Sequence, residues 1–421
     1  MDTLLLMKNI CAYPWRHITN RLDGTVSPCC EYKDLITKSD GTPYNIKEDS
    51  LEDIYNSEYM ESLRNDFLNG IKRDICNGCW DLEEVGAKSK RLRHLEYLKI
   101  NKLWNVNKPT RDKLPNEYQL SLNNSCNLKC RMCGPWYSSS WLKEDKKHEL
   151  YNFNAFKNQV SSPDSRFILD VEDWIPYVEE IEVLGGEPLY SSAWYKLLEI
   201  IIDKGYNKNL RIKIVTNGTI FDKEILEEWI SKFKQVDISI SIDGAGKVFE
   251  YLRTNAKWNE VKTNIDNFTQ YMKKGENYKS NFSVNIHSTL SWISILSITD
   301  LDKTLYNDIG SYDTYPSLSF NWVIEPVWLS LAFPPEFFRK FLLEELQKQS
   351  FCLDIVKQEL LSYLKLKKNE TFLNVDIEKE FKFIKKLDQI RNDSFLDIVK
   401  DISEELFIYY KPIYEKVNTG I

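Results

Sequence analysis

The stretch Asn124-Ser125-Cys126-Asn127-Leu128-Lys129-Cys130-Arg131-Met132-Cys133-Gly134-Pro135 constrains this chain more than any other. Three cysteines at CxxxCxxC spacing directly follow a short alternating strand, Tyr118 to Leu122. Three thiolates on one tight loop can hold three irons of a cubane cluster and leave the fourth iron open. Protein iron–sulfur clusters are normally held by four cysteines, so the missing ligand reads as a coordination site kept for something else. The bland alternative is a structural zinc loop or three unrelated thiols.

The other cysteines are unevenly placed. Eight of nine fall within the first 133 residues, at Cys11, Cys29, Cys30, Cys76, Cys79 and the three above. Only Cys352 lies beyond, in a stretch that reads as helix, where a small buried hydrophobe is the default. Met1 to Ile10 lacks the basic start and long apolar core of a signal peptide, and no run of 18 apolar residues occurs. The expected compartment is therefore the cytoplasm, where thiols bind metal or stay buried rather than pair as disulfides.

Arg16 to Arg21, the Asp23-Gly24 turn and Thr25 to Pro28 read as a β-hairpin. Cys11 precedes it and Cys29-Cys30 closes it. A helix is expected from Ser57, its N-cap, to a stop at Gly70. Cys76-Asn77-Gly78-Cys79 follows, then one amphipathic helix over Asp81–Lys102. CxxC is a generic metal clip, and zinc is the ordinary occupant of a four-cysteine site. Cys29 and Cys30 are adjacent, and either could serve with Cys11, Cys76 and Cys79.

After a linker at 103–116, strands and helices alternate, the sign of a parallel α/β architecture. The strands are Glu117–Leu122, Glu180–Leu184, Leu210–Val215, Gln235–Ile242, Phe282–Leu290 and Ser317–Ile324. The intervening helices are Ser192–Lys204, Lys223–Phe233, Val248–Lys273 and Thr299–Asp308, with Pro335–Gln349 after the last strand. Within strands the period is two: Ile238, Ile240 and Ile242 alternate with Asp237, Ser239, Ser241 and Asp243, and Val284 and Ile286 with Asn285, His287 and Thr289. Each set lies on one face, so the polar set faces away from the helices. A closed eight-stranded barrel fills its lumen with branched apolar residues; a polar lumen implies an open, hydrated cavity. Beyond Pro335 the chain is helical and charged, without glycine until Gly420, and reads as a cap or an oligomerisation element.

The CxxxCxxC loop after a first barrel strand resembles the signature of the radical S-adenosylmethionine (SAM) superfamily. Gly185-Gly186-Glu187-Pro188, 52 residues after Cys133, is similar to that family's GGE motif. Thr216-Asn217-Gly218 resembles its TNG turn, and Ser239, Ser241, Asp243 and Gly244 its SxDG element. Arg253 matches an arginine that meets the SAM carboxylate in related enzymes, a pairing that can be bidentate; the plain alternative is a salt bridge on a helix surface. The spacing Cys11-x12-Gly24-x4-Cys29, followed by Cys76 and Cys79, resembles a twitch domain, the half-sized form of the SPASM auxiliary-cluster domain. Pro14-Trp15, Cys79-Trp80, Glu83, Gly86, Ser89 and Arg91 fit the same pattern. Such domains usually follow the barrel; this one precedes it.

These resemblances imply a partial (β/α)6 TIM-like barrel at 117–349. A small cysteine-rich α+β twitch domain at 1–102 precedes it, and a helical extension at 350–421 follows. They imply SAM and one [4Fe–4S] cluster on Cys126, Cys130 and Cys133. A second [4Fe–4S] cluster falls to Cys11, Cys29, Cys76 and Cys79. Gly185, Gly186, Glu187, Thr216, Asn217, Ser239, Ser241 and Arg253 would line the SAM site. An auxiliary cluster with four ligands suits electron transfer, and oxidation of a substrate radical needs a base; His287, Lys213 and Glu325 are the candidates, unranked. The implied partners are a small polar molecule or a peptide as substrate, and a reductant such as flavodoxin or ferredoxin. A net charge of −7 and the lack of a basic, aromatic-interleaved stretch disfavour nucleic acid. A non-enzymatic iron–sulfur or zinc protein is the competing reading.

Overall fold

The computed structural model describes residues 9–84, 86, 88–105, 109–110, 112–151, 171–273, 281–309, 317–352, 354–364 and 375–417. Met1, Asp308's side chain, Leu366, Gly420 and part of the expected linker lie outside the described residues. Among the described residues ten strands occur: β1 His17–Asn20, β2 Val26–Ser27, β3 Glu117–Ser121, β4 Lys129–Cys130, β5 Glu180–Leu184, β6 Arg211–Thr216, β7 Gln235–Ser241, β8 Arg253–Thr254, β9 Phe282–Leu290 and β10 Ser317–Trp322. The chain folds as two compact units. One comprises Met1–Cys126, Asn154–Val215 and Asp222–Asp237; the other comprises Asn127–Phe153, Thr216–Phe221 and Ile238–Ile421. Strand β7 begins in the first and ends in the second.

In the first unit the strand order is β2-β1-β3-β5-β6, followed by the start of β7. The Asp-Gly turn forms as expected. Gly24 has φ +90° there, and a Cβ would stand 2.2 Å from Asn45 Oδ1. Strand β1 then does more than close a hairpin: it pairs in parallel with β3, His17 opposite Glu117 and Thr19 opposite Gln119. Sequence patterns over short windows do not reach a partner a hundred residues away. In the second unit β9 and β10 pair in parallel, with His287 opposite Ser319. A separate antiparallel pair joins β4 to β8, Cys130 opposite Arg253.

Parallel strands linked by helices give the mostly parallel partial barrel, which β1 extends by its parallel pairing with β3. Ile181, Val183, Ile212, Ile214, Ile238, Ile240, Val284 and Ile286 are all at most 2% exposed. Each such side chain contributes about 1.5–3 kcal/mol on burial, and a one-residue slip would turn all of them outward. Register is fixed by that face.

The polar face is occupied in part. At the N-terminal strand ends of the first unit it is filled by ion pairs. Glu117 meets Arg16 at 2.8 Å and His94 at 2.7 Å. Arg211 pairs with Glu180 at 3.0 Å and with Asp237, and also takes Tyr97 Oη at 2.7 Å. His94 and Tyr97 belong to the helix Lys90–Ile100, which therefore plugs that end.

Three local expectations are corrected. The helix expected over Asp81–Lys102 is two, Asn77–Glu84 and Lys90–Ile100. Gly86 at φ +81° breaks the run, and Ser89 caps the second helix by accepting from Leu92 N. Val248–Lys273 is likewise interrupted: Gly246–Leu252 ends in β8, Asn255 turns at φ +80°, and Trp258–Lys273 resumes. Cys352 is half-buried and precedes the helix Asp354–Leu364; its N–H donates to Asp302 Oδ2 at 2.5 Å. The C-terminal region is otherwise helical, packed around Phe381, Phe395 and Tyr410, whose rings lie within 6.0 Å of one another. Among the described residues no helix is long and apolar enough to cross a membrane.

Burial pulls the His17 imidazole down to about 4; its Nδ1 lies 2.9 Å from the Pro28 carbonyl oxygen. A histidine depressed in the fold stays neutral while the unfolded chain takes up a proton. Its contribution is therefore present above about pH 6.5 and lost as pH falls toward about 4. Anaerobic urea titrations should show the wild type losing on the order of 3 kcal/mol more than His17→Gln across that window. Parallel pH curves for the two proteins would refute this.

Candidate active site

The cysteine loop is tied down before any cofactor is considered. Cys126 and Cys130 are buried and Cys133 is half-buried. Cys133 N donates to Cys130 O at 3.0 Å, and Arg131 N to Leu252 O at 2.7 Å. Trp141 Nε1 donates to Cys130 O at 2.9 Å, and Ser138 Oγ to Leu128 O at 2.6 Å. The Cys130 thiol lies below its ordinary range: a hydrogen bond with Cys133 lowers it, burial opposes, and the Arg253 guanidinium lowers it further. A thiol that ionises easily is a ready metal ligand.

In the first unit the GGE turn is seated on this loop. Gly186 has φ +57°, and a Cβ there would lie 2.3 Å from Ser125 O. A Cβ on Gly185, at φ +81°, would lie 3.2 Å from Asn123 O. Both glycines are thus required by a backbone approach. Glu187 N donates to Ser125 O at 2.7 Å. The Glu187 carboxylate is fully buried, and Oε1 accepts from Leu189 N at 3.1 Å.

In the second unit the TNG turn meets the loop at Asn127. Asn217 Nδ2 donates to Asn127 Oδ1 at 2.9 Å, and Asn127 Nδ2 to Thr219 Oγ1 at 2.8 Å. Thr216 is wholly buried. Sequence reasoning passed over Asn127, although it stands inside the CxxxCxxC spacing. Ser239 and Ser241 are half-buried on β7.

Arg253 is no surface residue. It is 6% exposed, and its Nε and Nη2 bind Asp243 Oδ2 at 2.8 and 2.7 Å. Asp243 Oδ1 accepts from Thr289 N at 2.7 Å. Arg253 Nη1 stands 4.0 Å from Cys130 Sγ. Burial opposes its charge, but Asp243 and the sulfurs of Cys130 and Cys133 more than offset this and keep it protonated. The guanidinium is thus already committed to Asp243 and lies beside the cysteine loop.

The three base candidates separate. His287 is half-buried on β9, with Nδ1 2.9 Å from Ser319 Oγ. Lys213 lies between Glu180 at 3.3 Å and Glu182 at 3.4 Å. Burial disfavours its charge, yet those carboxylates raise it, so it is a fixed cation rather than a base. Glu325 is exposed and beyond the end of β10, not on the polar strand face. The strand stops at Trp322, short of the expected Ile324.

The remaining cysteines form one electrostatic neighbourhood. Burial raises Cys11, and Cys79 and Cys76 raise it further. Burial and then Cys79 push Cys76 up to about 11. Cys29 is raised by burial, Cys30, Cys11 and Cys79. The charges on Cys30 are different: Lys90, Glu31 and Glu182, with Lys90 Nζ 2.7 Å from its sulfur. Around them Arg91 stacks on Trp80 at 4.5 Å, donates to Ile10 O at 2.5 Å and pairs with Glu83. Four sulfurs that penalise one another's ionisation fit a cationic iron–sulfur core, which would relieve that repulsion. Among the described residues no three Cys, His, Asp or Glu side chains converge on a single-ion site.

A mostly parallel α/β order, a three-cysteine loop with its glycine turn, and further cysteines that act on one another's charge are features of an iron–sulfur protein. Residues 120–287 match the family model of the radical SAM superfamily, and residues 11–80 match that of SPASM, an iron–sulfur cluster-binding domain. Residues 120–287 are thus a radical SAM domain and residues 11–80, ahead of it, a SPASM-type domain; the first implies SAM and a [4Fe–4S] cluster, the second an auxiliary iron–sulfur cluster. No curated protein matches it significantly. Similar solved structures include anSMEcpe with AdoMet and the Kp18Cys peptide, 18% identical over 55% of this chain and 59% of that one, TM-score 0.38. Another is Streptococcus suis SuiB with S-adenosylmethionine, 16% identical over 81% and 70%, TM-score 0.33. SuiB with its precursor peptide SuiA is 15% identical over 83% and 70%, TM-score 0.32. The chain spans only 59% of the length of the first of these.

Proposed function

We propose that the enzyme cleaves SAM reductively to a 5′-deoxyadenosyl radical, which takes hydrogen from a polar substrate, a small molecule or a peptide. The product is an oxidised or otherwise modified substrate. When bound, the first cluster supplies the electron for cleavage and the second an acceptor for the electron of the substrate radical. Cys126, Cys130 and Cys133 would hold the first; Cys11, Cys29, Cys76 and Cys79 would hold the second. Reduction would come from a flavodoxin or ferredoxin.

The observation that carries this reading is the pairing of the GGE turn with the cysteine loop through Ser125 and Glu187. That turn brings the buried Glu187 carboxylate beside the loop, where it can take an ammonium donor. Thr216, Asn217, Ser239 and Ser241 would line the rest of the SAM site. Arg253 would hold the cysteine thiolates by its charge, with its SAM-carboxylate role secondary to Asp243. His287, oriented by Ser319, is the base for the substrate proton; neutral imidazole suits that task near pH 7.

Anaerobic reconstitution tests this. About eight irons per chain are expected for two cubanes, with 5′-deoxyadenosine formed on reduction with SAM. Deuterium from a labelled substrate should appear in it. A protein holding both clusters that forms no 5′-deoxyadenosine would overturn the reading.

A further inference from the structure

The C-terminal helices carry no residue used above, yet their charges converge on the cysteine loop. Within the second unit Arg131, next to Cys130, is 1% exposed. Its Nη2 donates to Asp388 Oδ1 at 2.8 Å and to Asp393 Oδ2 at 2.7 Å. Its Nε donates to Tyr251 O at 2.9 Å, and the guanidinium lies 3.8 Å from the Tyr251 ring centroid. Asp388 is itself held, accepting from Phe395 N at 2.7 Å and Tyr414 Oη at 3.1 Å.

A second arm comes from the same helix, Ile377–Arg391. Arg391 donates to Glu144 Oε2 from Nη2 at 2.6 Å and from Nε at 3.0 Å. Its guanidinium stacks over Trp141 at 4.5 Å, and Trp141 is the side chain that binds Cys130 O. Glu144 also takes Lys129 Nζ at 2.5 Å. The cations on both sides of Cys130 are therefore each gripped by carboxylates, Lys129 by Glu144 and Arg131 by Asp388 and Asp393.

Buried ion pairs give little net stability, since desolvation consumes most of the Coulomb gain. What such an array does well is fix position: each charge has one low-energy place. We infer that the helix Ile377–Arg391 and the turn after it form a clasp that holds Lys129–Cys133 in the conformation presenting Cys130 and Cys133 to iron. Arg131, Glu144, Asp388 and Arg391 are positioning residues. The inference rests on the reading that Cys126, Cys130 and Cys133 bind a cluster.

The test is chelator extraction of iron from the reconstituted full chain, followed by absorbance and by EPR of the reduced protein. Asp388→Asn leaves Arg131 with Asp393, and Arg391→Met keeps the stem without the charge, so both variants retain most packing. In each, one extraction phase should accelerate about tenfold or more, the range for ligand-supporting residues. That phase is the one missing from Cys130→Ala. The other cluster's phase should not change, Asp388→Glu should restore part of the loss, and the EPR signal of the affected cluster should broaden. Lys382→Ala, which removes an exposed pair with Glu378 on the same helix, should match the wild type. The clasp is refuted if neither phase changes, or if both accelerate together with loss of helical circular dichroism. A Cys130→Ala variant that keeps all the iron of the wild type would overturn the cluster reading instead, and the clasp with it.

Discussion

Cys130→Ala is expected to abolish SAM cleavage while leaving the auxiliary cluster in place. Iron should fall from about eight to about four per chain. Formation of 5′-deoxyadenosine should fall by roughly three orders of magnitude or more, about 4 kcal/mol of barrier. Cys130 is held at several points. Its backbone is paired with Arg253 across β4 and β8, its carbonyl is held by Trp141, and its sulfur lies 4.0 Å from Arg253 Nη1. The alanine side chain fits the buried space at small cost, so the fold should survive. Circular dichroism and the remaining iron would verify that. Deoxyadenosine formation at a tenth of the normal rate, with the protein folded, would mean this sulfur is not a ligand.

Much of this site was legible because its constraints are local. The GGE and TNG turns were read from glycines that the fold requires against Ser125 O and Ile240. The strands were read from a two-residue period, which burial of Ile212, Ile214, Ile238 and Ile240 reproduces. Helix breaks were harder. Apolar spacing runs on past Gly86 and Leu252, and it is the left-handed Gly86, the cap at Ser89 and the turn at Asn255 that interrupt it.

What stayed hidden depends on distant partners. Arg253 was matched by motif to the SAM site, but its partners Asp243 and Cys130 came only with β8. Lys213 looked like an available amine because nothing in its own strand announces Glu180 and Glu182 on the neighbour. Asp388 and Arg391 sit in a charged helix whose composition is that of any solvated surface. Their burial comes from Arg131 and Glu144, more than two hundred residues earlier. Charge type can be read along a chain, whereas charge placement needs the fold.

Cys76→Ala should separate the two halves of the chemistry. Cys76 ends the one-turn helix Asp74–Cys76 and is only half-buried. Its removal costs little packing, so a change in activity reports on the lost sulfur. The neighbouring thiols act on one another through Cys11 and Cys79; three donors in place of four should leave the auxiliary cluster incomplete and labile. The cysteine loop keeps its own hydrogen bonds. SAM should therefore still be cleaved, within a factor of about three of normal, whereas product should fall by about a hundredfold or more, the upper end for a lost metal-site support. Cys30→Ser supplies the contrast. Its sulfur is exposed and bound by Lys90 rather than surrounded by the other cysteines, so that variant should keep both clusters and about eight irons. Normal product formation by Cys76→Ala would mean that the electron of the substrate radical leaves by another route. Loss of iron in Cys30→Ser would instead exchange the places of Cys29 and Cys30 in the ligand set.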